Sequence, residues 1–207
     1  MTITHALTHD DPSVRLRVAM TIGVTDDPTI VDALVARCAV EPDFFVRDML
    51  TWALCRLSAA LTVPRLRTEL QSSVPQARSQ ALHTLSKIGS CDAWADVVDL
   101  VDDPDDDVAR TAWRASVALA PESESANLAG ALARHLGRGS IEVRRSLSRT
   151  LADLGEHGRS ATEPFLAHSN PSVSEHAGAT IALIDDPDSG FADSLDIARR
   201  VSVTGTG

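Results

Sequence analysis

The chain has 207 residues, of which 43% are hydrophobic and only 3% aromatic, and its formal net charge is −10 at pH 7. A chain of this length buries an ample core, either as one domain or as one array of repeats. A core poor in aromatic side chains suits helices better than a β-sandwich. The negative charge disfavours nonspecific binding to nucleic acid or to anionic membranes, because their phosphates repel it.

The N-terminal segment and the cysteines together indicate an intracellular protein. Residues 1–12 lack the basic and apolar regions of an export signal, and no apolar run approaches the ~18 residues of a membrane span. Cys38, Cys55 and Cys91 show no CxxC spacing, so we expect free thiols in a reducing compartment. We therefore expect a cytoplasmic protein that does not bind membranes.

An apolar stripe within residues 43–57 defines the repeat of this chain. Its members are spaced so that they share one face of an α-helix; they are Val46, Leu50, Leu54 and Leu57. We take the first of them as the origin of a repeat. Equivalent origins are Val14, Ala77, Val108, Val143 and Val173. Successive origins lie 32, 31, 31, 35 and 30 residues apart, and this period predicts a tandem array of helical repeats.

A second apolar segment follows each stripe, which predicts that each repeat is a helical hairpin. These segments are 28–39, 62–71, 92–101, 123–136, 158–168 and 191–201. Asp-Pro and Asn-Pro dipeptides at the joints, as at Asp11-Pro12 and Asn170-Pro171, predict helix starts. We expect one domain over 1–207, in which residues 1–9 are a truncated cap and residues 201–207 a flexible tail.

The pattern Asp-x-x-Val-Arg-x-x-apolar recurs near the origins, for example at 11–18 and 43–50. In this pattern the chain resembles HEAT repeats and the HEAT-like repeats of the PBS-lyase type. The resemblance implies an all-α fold, a right-handed α-solenoid of about six helical hairpins. It also implies a ladder of buried hydrogen bonds between neighbouring repeats. The ladder residues by this resemblance are Asp11, Arg15, Asp43, Arg47, Arg78, Asp105 and Arg144.

The second and sixth residues after each origin point away from the stripe, on the helices that line the concave face in this family. In the middle repeats this predicted partner-binding face includes Asp48, Trp52, His83, Arg110, Arg114, Arg145 and Arg149. Arg and Trp anchor many protein interfaces, because they combine contact area with directed hydrogen bonds. Alternatively, these arginines are solvated and pair within their own helices.

Other features receive structural interpretations. The acidic run at 102–107 lacks the central Gly and the last Glu of a calcium loop, so we expect it to cap a helix. His5 and His9 lie one helical turn apart without a third strong ligand, so no metal site is predicted. We expect Cys55 to be a small buried thiol rather than a nucleophile, and Trp113 to be half-buried packing.

No catalytic motif is present: there is no GxSxG, no Walker loop and no HExxH. The HEAT-like hydroxylases that modify a translation factor hold di-iron with His-Glu dipeptides, and this chain has none. We therefore predict a non-enzymatic scaffold or adaptor without a cofactor. Its concave face is expected to bind an acidic segment of another protein. The alternatives are a HEAT-like lyase or small-ligand-handling enzyme, and a nucleic-acid-binding HEAT-like protein, although the known HEAT-like DNA glycosylases are basic.

Overall fold

The computed structural model describes residues 3–25 and 27–187, and every regular element within these ranges is helical. The fold is therefore all-α, as predicted. The predicted helix at 191–201 and the predicted tail at 201–207 lie outside the described residues. In chain order the α-helices are α1 (Ile3–Ala6), α2 (Pro12–Ile22), α3 (Val31–Cys38), α4 (Phe44–Arg56), α5 (Ala59–Glu69), α6 (Pro75–Ile88), α7 (Trp94–Val98), α8 (Asp106–Leu119), α9 (Ser125–Ala133), α10 (Ile141–Asp153), α11 (Glu156–Thr162) and α12 (Pro171–Asp185). Short 3₁₀ helices cover Pro28–Ile30, Cys91–Ala93, Glu122–Glu124 and Glu163–Ala167.

The six origins fall in the first turns of α2, α4, α6, α8, α10 and α12, which are the first helices of the six repeats. Side-chain caps explain several of these starts. The Asp43 carboxylate accepts the Val46 N–H at 3.0 Å, and the Asn170 side chain accepts the Ser172 N–H at 3.0 Å. Each cap satisfies an amide that has no partner inside the helix. The α6 helix ends at Gly89, whose φ of 74° is left-handed and suits glycine.

The chain forms two compact units, Met1–Leu119 and Ala120–Gly207. In the first unit, the helices α2, α4, α6 and α8 pack side by side, each against the next. The second helices cover one side of this row, because α3 packs on α4 and α5, α5 packs on α6, and α7 packs on α8. The unit is thus a stack of helical hairpins, the arrangement of an α-solenoid. That residues 1–207 form a single domain stays a prediction.

The first unit is held together by the predicted apolar stripes. Leu50, Leu54 and Leu85 have no exposed surface, and burial of each such side chain contributes on the order of 2 kcal/mol. We expected Trp113 to be half-buried, but it is fully buried. Its indole N–H is satisfied there, because Nε1 donates to the Val101 carbonyl at 3.0 Å. Ser116 interrupts the apolar pattern but is satisfied, since its hydroxyl donates to the Trp113 carbonyl at 2.9 Å.

In the second unit, α10 packs on α12, while α9 packs on α11 and on α10. Leu128, Leu132, Leu147 and Leu151 are buried between these helices. The 3₁₀ segment Glu163–Ala167 packs on α12 and completes the described part of the unit.

His176 is a polar residue inside the second unit, with no exposed surface. The Gly137 N–H donates to its Nδ1 at 2.9 Å, so the ring proton is on Nε2. Nε2 lies 3.0 Å from both the Ser148 hydroxyl and the Arg144 carbonyl. The Ser148 hydroxyl in turn lies 2.7 Å from the Thr180 hydroxyl, so polar contacts satisfy both ring nitrogens.

Candidate functional site

Two arginines of the first unit form paired contacts with carboxylates of the following repeat. Nε and Nη2 of Arg15 donate to the two carboxylate oxygens of Glu41, at 2.8 and 2.7 Å. Nε and Nη2 of Arg78 donate to the two oxygens of Asp103, at 2.8 and 2.9 Å. The Glu41 side chain has no exposed surface, and that of Asp103 is 4% exposed. A ladder between repeats therefore exists, with acidic members that differ from the predicted ones.

The predicted acidic members of the ladder, Asp11, Asp43 and Asp105, are helix caps instead. Each carboxylate accepts backbone N–H groups in the first turn of its own helix, from Ser13, from Val46, and from Asp107 and Val108 respectively. A carboxylate aimed at its own helix start does not reach the arginine of the preceding repeat. Arg144, the ladder member predicted in the second unit, has a buried Nε without a hydrogen-bond partner among the described residues.

The acidic members that the sequence analysis missed occupy one fixed position, five residues before an origin. We call it the turn-acceptor position, because its side chain accepts the N–H of the residue two places later. There are five observed cases, each given as the accepting side chain followed by the residue whose backbone N–H donates. They are His9 and Asp11 at 3.0 Å, Glu41 and Asp43 at 3.0 Å, Ser72 and Val74 at 3.3 Å, Asp103 and Asp105 at 2.9 Å, and His168 and Asn170 at 3.1 Å. Glu41 and Asp103, the two acidic residues at this position, are the ones that bind an arginine.

Arg47 is the ladder arginine of the first unit that meets no carboxylate among the described residues. Its Nη1 donates to the Glu41 and Pro42 carbonyls at 2.8 and 2.9 Å, as Nη1 of Arg15 does to His9 and Asp10. The turn-acceptor residue of the next repeat is Ser72, whose hydroxyl is too short to reach the guanidinium. Nε and Nη2 of Arg47 therefore have no hydrogen-bond partner among the described residues, and neither atom is buried.

Arg47 lines a pocket of about 480 Å³ in the first unit, bounded by α4, α6 and α8. Its lining residues are Phe44, Arg47, Asp48, Ser79, Gln80, His83, Asp107, Thr111 and Arg114. The Ser79 and Thr111 hydroxyls lie 3.0 Å apart on its wall. Phe44 is 65% exposed and adds an apolar surface to a pocket that is otherwise polar.

Three residues of the predicted partner-binding face line this pocket: Asp48, His83 and Arg114. Arg110 lies outside the lining, and its Nη1 is 3.4 Å from the Asp107 carboxylate, an ion pair within its own helix. This contact follows the alternative interpretation that we gave for the arginines. In the second unit, Arg145 and Arg149 are exposed on α10.

Trp52 also belongs to the predicted face, but it contacts neighbouring residues rather than the pocket. Its side chain is 38% exposed, and the Arg56 guanidinium lies 5.4 Å from the ring centroid. The ring packs so closely on Gly23 that a Cβ there would meet it at 2.1 Å. Arg56 Nε also donates to the Gly23 carbonyl at 2.6 Å. Trp52 is thus held by its own unit through packing and a cation–π contact.

Burial and nearby charges set the protonation states of the pocket residues Arg114 and His83. Burial lowers the pKa of Arg114, and Arg110 lowers it further, yet the group remains charged because its ordinary pKa is so high. Burial also lowers the pKa of His83, as do Lys87 and Arg114, while Asp48 opposes them. His83 is therefore neutral at pH 7 and offers one donor and one acceptor.

Phe44 and Arg47 are pocket residues that the sequence analysis did not assign to a site. Arg47 was assigned to the ladder, because it matches the repeat pattern as well as Arg15 does. The available signal for Phe44 was the Phe44-Phe45 pair itself, two adjacent aromatic residues in a chain with seven. The two rings meet edge to face at 5.6 Å, and both are largely exposed.

Metal-ligating side chains do not cluster in the described part of the chain. No group of three or more His, Cys, Asp or Glu side chains within 3–25 and 27–187 is arranged to hold a metal ion.

Cys55 is exposed, so our expectation of a buried thiol at this position was wrong, and Cys38 is the buried one. No helix in the described part of the chain is long and apolar enough to cross a membrane.

The stacked hairpins and the ladder between them define an α-helical repeat protein. Residues 46–118 match the family model of HEAT repeats, the family that the sequence pattern resembles. This matched segment includes α6, most of α4 and nearly all of α8, the helices that bound the pocket. A search of curated proteins finds no match.

Solved structures similar to the chain include natural and engineered proteins. An engineered protein is 17% identical with a TM-score of 0.47, over 88% of this chain and 95% of that chain. Human deoxyhypusine hydroxylase in complex with glycerol is 18% identical with a TM-score of 0.46, over 96% and 93%. The complex of CpcE and CpcF of phycocyanin lyase from Nostoc sp. PCC7120 is 18% identical with a TM-score of 0.34, over 95% and 91%.

Proposed function

We propose that the chain is a non-enzymatic scaffold or adaptor whose first unit binds an acidic segment of a partner protein in the pocket between α4, α6 and α8. One observation carries this proposal. Arg47 and Arg114 line the same pocket, and neither forms an ion pair among the described residues.

Seven other arginines of the described residues already have a carboxylate. The paired ones are Arg15, Arg37, Arg65, Arg67, Arg78, Arg110 and Arg159. What distinguishes Arg47 and Arg114, in a protein with a formal net charge of −10, is that both guanidinium groups line one pocket, where together they can attract an anion. A guanidinium binds a carboxylate through two parallel hydrogen bonds, which gives direction as well as attraction.

The lining residues also limit the negative charge that a bound partner can carry in the pocket. Asp48 and Asp107 are in the pocket with the two arginines, so the formal charge of the lining is zero with His83 neutral. A highly charged partner, such as a nucleic acid, meets these carboxylates and the negative charge of the whole chain. An isolated carboxylate fits better, because it makes short-range contacts with one guanidinium at a time.

The proposal is tested by selecting peptides from a random display library on the full-length protein. We expect the selected peptides to be enriched in Asp and Glu. Arg114→Gln should weaken their binding by about tenfold, the loss of one charge-assisted contact, as measured by fluorescence anisotropy. The matched control is Arg67→Gln, which removes the same charge from α5, where Arg67 pairs with Asp96 away from the pocket. Selected peptides without acidic residues, or an equal loss in both variants, would overturn the proposal.

A second candidate function follows from the volume of the pocket. About 480 Å³ lies within the range of small-molecule sites, roughly 300 to 1,000 Å³. A lyase or another small-ligand-handling protein would use it to bind a compound with a carboxylate. Native mass spectrometry of the purified protein distinguishes this candidate from the scaffold. A ligand that copurifies with the chain and is lost in Arg114→Gln supports the small-ligand-handling function. A spectrum that contains only the unliganded chain counts against it.

A further inference from the structure

We infer that the Nε–Nη2 edge of Arg47 is the contact point for one carboxylate of the partner, which takes the place that Glu41 and Asp103 take beside the other ladder arginines. This inference rests on the proposed function and names the atom pair that binds the partner. It also assigns the pocket a specific ligand group, a single carboxylate that can accept two parallel hydrogen bonds.

The two complete rungs of the ladder show the geometry that Arg47 is prepared to make. In Arg15 and Arg78, Nη1 donates to the backbone carbonyl of the turn-acceptor residue in the same repeat, at 2.7 and 2.9 Å. Nε and Nη2 of each then bind the carboxylate of the next repeat. Arg47 makes the same backbone contact with Glu41 at 2.8 Å. Its guanidinium is therefore held in place while its other edge stays open.

Ser72 is the reason that the Arg47 edge is open. It occupies the turn-acceptor position, and its hydroxyl accepts the Val74 N–H at 3.3 Å, so the turn is formed as in the neighbouring repeats. Only the carboxylate is missing. An incoming carboxylate finds a guanidinium whose side-chain entropy has already been lost, and such preorganisation favours binding.

The pocket places further groups around the proposed carboxylate. The Gln80 side chain lines the pocket from the adjacent α6 helix, and its amide can donate a hydrogen bond to an oxygen. Phe44 lines the pocket from α4, is largely exposed, and offers contact to the methylene groups of a Glu side chain. The two aspartates of the lining disfavour a second negative charge, which favours a carboxylate over a phosphate dianion.

The inference is tested by NMR of the arginine Nε–Hε groups in the full-length protein. The probe is N-acetyl-glutamate amide, and its neutral control is N-acetyl-glutamine amide. The Arg47 signal is identified by its absence in Arg47→Lys. We expect this signal to shift saturably with the glutamate compound and to stay in place with the glutamine compound. A signal that responds to neither compound, or equally to both, overturns the inference.

A gain-of-contact variant provides the second test. Ser72→Asp supplies a carboxylate at the turn-acceptor position, as Asp103 does for Arg78. We expect the Arg47 signal to move without any ligand, and the affinity for the glutamate compound to fall on the order of tenfold. Ser73→Asp is the matched control, because it adds the same charge at the adjacent exposed position. If Ser72→Asp leaves the affinity unchanged, or Ser73→Asp lowers it as much, the inference fails.

These outcomes separate the inference from the proposed function. Selected acidic peptides that depend on Arg114 but bind Ser72→Asp normally overturn the inference and leave the proposed function standing. A specific response of Arg47 to the glutamate compound, with no acidic peptides selected, supports the rung geometry and overturns the proposed function.

Discussion

The guanidinium of Arg15 and the carboxylate of Glu41 form a two-bonded ion pair whose side chains are only 6% and 0% exposed. Arg37 also donates to Glu41, at 2.8 Å, so that this carboxylate joins α2, α3 and the start of α4. Burial alone would raise the pKa of Glu41. The hydrogen bonds from Arg15 and Arg37 outweigh burial and lower the pKa to about 2.

This pKa predicts an acid-sensitive first unit. The pKa of Glu41 is about 2 in the folded chain, against 4.5 for an unperturbed Glu. Its contribution to stability is therefore complete above about pH 4.5 and is lost as the pH falls towards about 2, a loss of about 3 kcal/mol. Urea unfolding followed by Trp fluorescence measures it, because all three Trp residues lie in this unit.

Glu41→Gln is the control for this acid sensitivity. The variant leaves the two arginines buried without a carboxylate, so we expect a loss of about 3 to 5 kcal/mol at neutral pH. Its unfolding free energy should then change less between about pH 4.5 and 2 than that of the unaltered chain. Equal pH dependence in both proteins would show that Glu41 does not carry the effect.

His176 predicts a second pH dependence at higher pH, in the second unit. Burial lowers the pKa of His176 to about 4, and the Arg144 charge adds to this effect, while the hydrogen bond to the Arg144 carbonyl opposes it. The unfolded chain takes up the proton near pH 6.5, before the folded chain does. Stability is thus complete above about pH 6.5 and falls by about 3 kcal/mol as the pH decreases to about 4.

The His176 prediction is measured by NMR. The ring C–H signal of His176 gives the folded pKa directly, and amide exchange in α12 reports the stability of the unit at each pH. His176→Gln removes the titrating group and should make this stability nearly constant between about pH 6.5 and 4. A folded pKa near the ordinary value of His would refute the prediction.

Two helical glycines of the second unit should respond in opposite directions to the same substitution. A Cβ on Gly158 in α11 would lie 1.9 Å from the Leu151 carbonyl oxygen, so Gly158→Ala forces α10 and α11 apart and should cost about 2 to 3 kcal/mol. A Cβ on Gly130 in α9 meets no atom within 4 Å. Gly130→Ala should therefore stabilise the helix by about 0.5 to 1 kcal/mol. Thermal unfolding followed by circular dichroism measures both, and two changes of the same sign would contradict this packing.

The three thiols should differ in their reactivity. Cys38 is 4% exposed, and burial raises the pKa of its thiol to about 12, whereas Cys55 and Cys91 are exposed. We expect two thiols to react with a maleimide in the folded chain and the third only after unfolding. Cys38→Ser should leave the folded-state labelling unchanged. Fast labelling of Cys38 would indicate that α3 opens readily.

The helical repeats could be predicted from the sequence, because their signal is local and recurs. The stripe of Val46, Leu50 and Leu54 is buried on one face of α4, and equivalent stripes give the first helices of the other repeats. Burial of Trp113 and exposure of Cys55 were not predicted correctly. Both depend on contacts with other helices, which the periodicity of a single helix does not contain.

The ladder shows the same limit more clearly. The pattern identified Arg15 and Arg78, but it paired them with the wrong acidic residues. The same acidic residue types cap a helix and bind a ladder arginine, so the sequence alone does not distinguish the two roles. Glu41 and Asp103 lie at a constant distance from the origins, a regularity that is visible in the sequence once the turn-acceptor position is known. Ser72 breaks this regularity, and it turns Arg47 from a ladder residue into a residue of the pocket.

The turn-acceptor position separates the stability of a repeat from its recognition properties. An imidazole, a hydroxyl or a carboxylate closes the same turn, as His9, Ser72 and Asp103 show. After duplication of such a repeat, a single codon change at this position opens or closes one anion-accepting arginine while the turn persists. The array can thus acquire or lose ligand contacts one repeat at a time during evolution, without a new scaffold.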